Sequence, residues 1–298
     1  TVDASTKGKA NYSVVVDTDG NSLSPAQQKY FNGTKVVDEN GALKVMYHGS
    51  QRAGFTVFDP RRSDDNTSLF FTDDPEVAES YSGTDETNAD KGPSNYEVYL
   101  NVKNPRTIDA KGSSWRTIIT DDSNLGSFTV TYDGGDQFTV KGVDDDGAVI
   151  YDGAMDEAEL YDYFGDFAEG FEEPDMGVPV TLKVPMSYAN NGTVNKDAYL
   201  NTRSLSLLSK INGNDGVIIK NLRDTGEYGG TNSASTVVIV FNSNQIKSIS
   251  NKNPSMHDDI RYSLDLGYHA GDLGKAESLG AQSGGLDNTA YGSVIYDL

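Results

Sequence analysis

Residues 36–50 read VVDENGALKVMYHGS and residues 69–81 read LFFTDDPEVAESY. In the first, apolar runs at 35–37 and 44–48 flank Asp38-Glu39-Asn40-Gly41, a hairpin-like pattern around a turn. In the second, 69–72 predicts a compact apolar strand. Asp73-Asp74-Pro75 then opens a short helix over 76–81, with its acids near the N-terminus where the helix dipole favours them. A third stretch, STVVIVFNSNQIKSI at 235–249, predicts a buried central strand at 236–241 and a last short strand at 245–249. Many short strands with few, short helices make the chain α+β. No alternating βαβ pattern and no glycine-rich phosphate motif supports a Rossmann or P-loop fold.

The flanking sequence fits the same class. Residues 12–16 read as a short strand before the turn Asp17-Thr18-Asp19-Gly20. Ser24-Pro25-Ala26-Gln27 starts a helix that ends near Asn32-Gly33, with Ser as cap, Pro first and Gln three after the cap. Asp17, Asp19 and Asn21 have the spacing that opens a calcium loop. The sixth and twelfth positions, however, hold Ser22 and Gln28 where such a loop needs Gly and Glu. Further on, 96–102 alternates as a strand, 202–211 reads as a helix, and 215–220 is a strand entered by a tight turn. A Gly- and Asn-rich loop spans 221–235.

Charge divides the chain. It has 298 residues, 24 Lys+Arg against 45 Asp+Glu, and a net charge of −21. Such a surface repels phosphate backbones and anionic membranes, so no nucleic-acid or membrane partner is expected. There are no cysteines, which excludes thiol catalysis and Cys-ligated zinc. Three histidines, His48, His257 and His269, make a multi-His metal site unexpected. No apolar run approaches the roughly 20 residues that span a bilayer. Between Asp121 and Asp175 stand 17 acids and one base, Lys141, leaving −5 for the rest. A shift this sharp reads as an acidic inserted lobe, placed at 121–199. Inside it, 127–132 and 137–141 form a hairpin and 148–151 a third strand. An acidic helix spans 155–171 with Leu160, Tyr163, Phe164 and Phe167 on one face, and 178–184 returns to the main body.

Tyr47-His48-Gly49-Ser50, then Phe70 with Tyr81 eleven residues later, then the strand at 236–241, resemble in order and spacing the ADP-ribosyltransferase fold. The branch is that of poly(ADP-ribose) polymerases and diphtheria-type toxins, and the match is strongest to the domains of phage and mobile-element polyvalent proteins. The resemblance covers 35–120 and 200–262, carried also by FTVFDP (55–60), VYLNVKNPRTIDAKGSSW (98–115) and NDGVIIKN (214–221). It implies a split pair of small antiparallel sheets with short helices. Residues 1–34 then form a lead-in with a short helix. Residues 263–298 form a tail, in which Gly267-Tyr268-His269-Ala270-Gly271 echoes the first motif.

The resemblance also implies NAD as substrate and no metal. His48 would bond the adenosine ribose, Gly49 would offer its backbone to the nicotinamide carboxamide, and Ser50 would reach the adenosine half. Phe70 stands where the second motif usually has Tyr, with Phe71 beside it, and Tyr81 would stack on nicotinamide. Two positions depart from the pattern. Ala78 replaces a common Ser, and Val237 replaces the third-motif Glu that steadies the ribose cation; Glu227 is then the candidate acid, on the preceding loop. The catalytic set is therefore His48, Tyr81 and Glu227. The implied activity is transfer of single ADP-ribose units to a side chain of a host protein by a monomer, with the acidic lobe suited to a basic target. Two alternatives stand beside it: an NAD glycohydrolase, and an inactive NAD- or protein-binding module carried as cargo of a virion or mobile element.

Overall fold

A computed structural model of the chain describes residues 14–63, 66–82, 94–171, 176–188, 192–224 and 234–261. Helix α1 (Pro25–Tyr30) starts at the predicted cap. The Ser24 side chain accepts from the Gln27 N–H, and the Gln27 side chain accepts from Ser24 N at 2.9 Å. The strand read at 12–16 shrinks, among the described residues, to a bridge between Val16 and Ser22. Asp17 is 2 % exposed, and its oxygens accept from the Tyr99 hydroxyl at 2.6 Å and from Asn21 N at 2.7 Å. Burial pushes its carboxyl up, but these bonds outweigh it and hold it below the ordinary carboxylate value. Asp17 thus anchors a turn. The hairpin at 35–48 likewise reduces to a Val37–Leu43 bridge around the turn, and the regular strand begins only at Met46.

The strands β1 (Met46–Ser50), β2 (Leu69–Thr72), β3 (Ser94–Leu100) and β4 (Pro105–Asp109) enter one seven-stranded sheet. Between β1 and β4, helix α2 (Pro75–Ser80) follows β2, capped by Asp74, whose carboxylate accepts from Glu76 N at 2.9 Å. A two-residue β5 (Ile118–Ile119) then leads into a second sheet. Its hairpin β6 (Leu125–Gly134) and β7 (Gln137–Val143) turns through Gly135 at φ 68°, and β8 (Val149–Asp156) pairs with β7. The predicted helix at 155–171 divides in two. Met155 is still in β8, α3 (Glu157–Phe164) begins at the Asp156 cap, and Gly165 at φ 56° ends it before a 3₁₀ segment, Gly165–Phe171. Strand β9 (Pro179–Ser187) runs beyond the predicted return strand, and β10 (Thr193–Val194) pairs with it. These five strands form the order β10-β9-β6-β7-β8 over a core of their own that includes Phe128, Val140, Leu160, Phe164 and Phe167, with Tyr163 packed partly buried against it.

After the short β11 (Tyr199–Leu200), α4 (Thr202–Ile211) leads to β12 (Gly216–Arg223), β13 (Ala234–Val240) and β14 (Ile246–Ser248), which complete the main sheet in the order β14-β3-β1-β2-β13-β12-β4. Two features modify the expected pair of antiparallel sheets. The halves stay one sheet, but β1 and β2 share a single register pair, Tyr47 with Thr72. And β4 runs parallel to β12, because the chain leaves β4 and returns to the same edge only after the second sheet and α4.

Lys247 on β14 is 0 % exposed, with its ammonium donating to the carbonyls of His257 and Asp259 and lying 5.9 Å from the Tyr30 ring centroid. Burial lowers its pKa to about 8, against the opposing pull of Asp258 and Asp259. A lysine with a depressed folded pKa binds fewer protons folded than unfolded, so stability rises with pH above 8. Tyr30, pushed up to about 12 by burial, reverses the slope above pH 10. Denaturant melts should show stability rising by roughly 2–3 kcal/mol between pH 8 and 10. Lys247→Met should flatten that rise; an equal slope in the variant would rule this account out.

Candidate active site

Where the sheet splits, His48 fills the gap. Beyond Tyr47, β1 pairs with β3 and β2 with β13, and the His48 Nδ1 lies 2.8 Å from the Phe70 carbonyl oxygen. A carbonyl can only accept, so Nδ1 carries the proton and Nε2 keeps its lone pair. Phe58 and Phe71 hold the ring, with centroids at 5.1 and 5.3 Å. Burial lowers the pKa of the imidazole and so favours its neutral form, and the bond to Phe70 opposes that shift only in part. The result is a fixed hydrogen-bond acceptor at the split.

Gly49 places the helix. A β-carbon there would stand 1.7 Å from the Ala78 carbonyl oxygen and 3.1 Å from Cβ of Tyr81. The last turn of α2 therefore rests directly on the β1 backbone, an approach that only glycine permits. Tyr81 caps that turn beside Gly49, and its hydroxyl donates to Asp224 Oδ1 at 2.7 Å, immediately after β12. The tyrosine is thus held at its root by the helix and at its tip by a carboxylate. Ser50, at the end of β1, accepts from Arg52 N at 3.1 Å.

Strand alternation separates the two phenylalanines. Phe70 is half-buried on the face it shares with Val237, whereas Phe71 is 1 % exposed on the other face, packed behind His48. Val237 is 4 % exposed and clusters with Phe70, Ile219 and Ile239. Its register partners are Thr72 and Ile219, and the neighbouring Thr72 hydroxyl donates to Ser235 Oγ at 3.2 Å. Glu227 lies outside the described residues. Asp224 is the acid that sequence reasoning missed. Its only signal was its place, just past the strand 216–223 on the side of the loop that carries Glu227.

The arrangement offers a neutral imidazole acceptor, an oriented aromatic ring and a carboxylate around the strand ends of a split sheet. Among the described residues no group of three or more His, Cys, Asp or Glu side chains is placed to hold a metal ion. No curated protein and no solved structure matches the chain. A family model described as ADP-ribosyltransferase in polyvalent proteins matches residues 38–256, a span that holds both sheets and every described residue of the site. Enzymes of this kind move ADP-ribose and take NAD as their substrate. By that match, which takes in most of the sequence, the chain belongs to the family of ADP-ribosyltransferases in polyvalent proteins.

Proposed function

We propose that this chain is a mono-ADP-ribosyltransferase whose NAD lies at the split of the main sheet. The observation that carries the reading is Tyr81, fixed between Gly49 and Asp224 beside a neutral His48. His48 Nε2 accepts a hydrogen bond from a ribose hydroxyl of the adenosine half, and the Tyr81 ring stacks on nicotinamide, leaving the glycosidic bond exposed. The bond from ribose C1′ to the ring nitrogen breaks with its electron pair going to nicotinamide, which leaves neutral. The acceptor's oxygen or nitrogen then gives an electron pair to C1′ and loses its proton to solvent. A nearby carboxylate stabilises the ribose cation between these events. Val237 supplies none, so the role falls to Glu227 or Asp224. Without the usual glutamate, single transfer to a protein side chain is favoured over chain growth. The acidic second sheet suits a basic acceptor, whose approach would slow as salt rises.

The apolar, buried Val237 is also the observation that favours a second reading, an NAD-binding module without turnover. Incubation with NAD labelled on its adenylate half, together with a cell lysate, decides among the readings. Labelled protein supports transfer, free ADP-ribose supports hydrolysis, and neither supports the inactive module. If Glu227 carries the role, Glu227→Gln should abolish turnover in an active protein and leave NAD affinity nearly intact. Full turnover in that variant would remove Glu227 from the mechanism.

A further inference from the structure

The face of the main sheet that carries Phe71 and His48 also carries, away from His48, a concave site with a different set of lining residues. Val238 pairs with Ile218 and Phe71, so its side chain points away from the face of Val237 and Phe70. There a cavity of about 580 Å³ opens over an apolar floor of Val36, Ile218 and Val238. Four lysines line it: Lys35, Lys44, Lys103 and Lys220. In a chain of net charge −21 this is a local inversion of sign.

A β-bulge builds one wall. Ile219 pairs with Val237 and Leu222 with Ser235, so Lys220 and Asn221 together oppose Thr236 alone, with Asn221 at φ 53°. All three bulge residues line the cavity. Bulges of this kind re-aim side chains beside functional sites. Asn221 is held in its conformation by its amide, which donates to Asp109 Oδ1 at 2.9 Å.

The acids nearby are largely spoken for. Asp73 is paired with Lys44 at 2.5 Å and accepts from Thr236 N. Asp38 accepts from Asn40 N and Ala42 N within its own turn. Asp109, the register partner of Lys220, accepts from Asn221 and from Lys111 N. Glu39 also lines the cavity, against the four lysines. Lys35, Lys103 and Lys220 form no ion pair among the described residues.

We infer that this cavity binds a phosphate-bearing small molecule of about mononucleotide size. Its phosphate sits among Lys35, Lys103 and Lys220, and its less polar part covers Val36, Ile218 and Val238. The volume is within the usual range of small-molecule sites, and a few convergent polar groups over an apolar floor are their usual composition. Lysines suit the phosphate as point charges, without the fixed fork of arginine. The site is separate from the NAD split and does not depend on the transferase reading.

AMP is the probe, titrated calorimetrically into wild type, a Lys103→Ala/Lys220→Ala double variant and His48→Ala, the change at the NAD site that faces the adenosine half. Both lysines are exposed, so the double variant keeps the fold. Wild type and His48→Ala should bind AMP alike, and the double variant at least about tenfold more weakly, as loss of two charge-assisted contacts implies. Affinity in wild type should fall as salt is raised. No AMP binding by wild type at about 1 mM, a concentration that detects even weak sites, would overturn the inference. So would binding that His48→Ala weakens as much as the lysine changes do, or that the double variant retains in full.

Discussion

Gly49→Ala should lower the melting temperature and abolish NAD binding together. The new methyl carbon would lie 1.7 Å from a backbone oxygen of α2, and no rotamer change can move that atom aside. Overpacking in a core commonly costs 1–3 kcal/mol, with soft neighbours absorbing part of it. Here the neighbour is a helix backbone, so a loss of at least about 3 kcal/mol is expected if α2 stays in place. If α2 shifts instead, Tyr81 leaves Asp224 and the ring no longer faces its substrate. Denaturant melts and NAD titrations check both branches. A Gly49→Ala protein with wild-type stability and affinity would show that the helix does not rest on β1 as described.

The second large effect concerns Val237→Glu. Restoring the family's usual carboxylate looks from sequence like a repair that raises turnover, provided the strand tolerates it. The structure puts Val237 at 4 % exposure, among Phe70, Ile219 and Ile239. A carboxylate there gives up its hydration, and its register neighbours offer hydroxyls, those of Thr72 and Ser235, but no cation. Burying a charge without a partner costs several kcal/mol or neutralises the group. Val237→Glu is therefore expected to lose roughly 2–4 kcal/mol of stability at pH 7, with part of the loss recovered near pH 5 as the carboxyl protonates. Nicotinamide release should not rise. A stable Val237→Glu protein with raised turnover would mean that the strand opens onto the site.

Local sequence signals carried much of this fold. The Ser24 capping box and the Asp74 cap rest on contacts within a few residues, which spacing reports directly, and the strand 69–72 is marked by its apolar run although its partners are distant. The stripe of Leu160, Tyr163, Phe164 and Phe167 pointed to a core, and these side chains do pack with Phe128 and Val140 across the second sheet. The helix that carried the stripe was overextended, because the 3.6-residue pattern continues past Gly165 while the backbone does not. The site was legible as a set of motifs and illegible as geometry. That His48 bonds the Phe70 carbonyl follows from a split that only tertiary pairing creates. That Gly49 seats a helix requires knowing what lies above β1. Asp224 carries no motif at all; it became visible only because Tyr81, 143 positions away in sequence, reaches it.

Calorimetric titration of NAD into wild type, His48→Ala and Tyr81→Ala tests most directly the claim that the split of the sheet is the NAD site. Wild type should bind. Each variant should lose about 1–3 kcal/mol, a weakening of roughly fivefold to 150-fold, as for a lost buried hydrogen bond or aromatic stack. Equal affinity in all three proteins, or no binding by wild type, would contradict it.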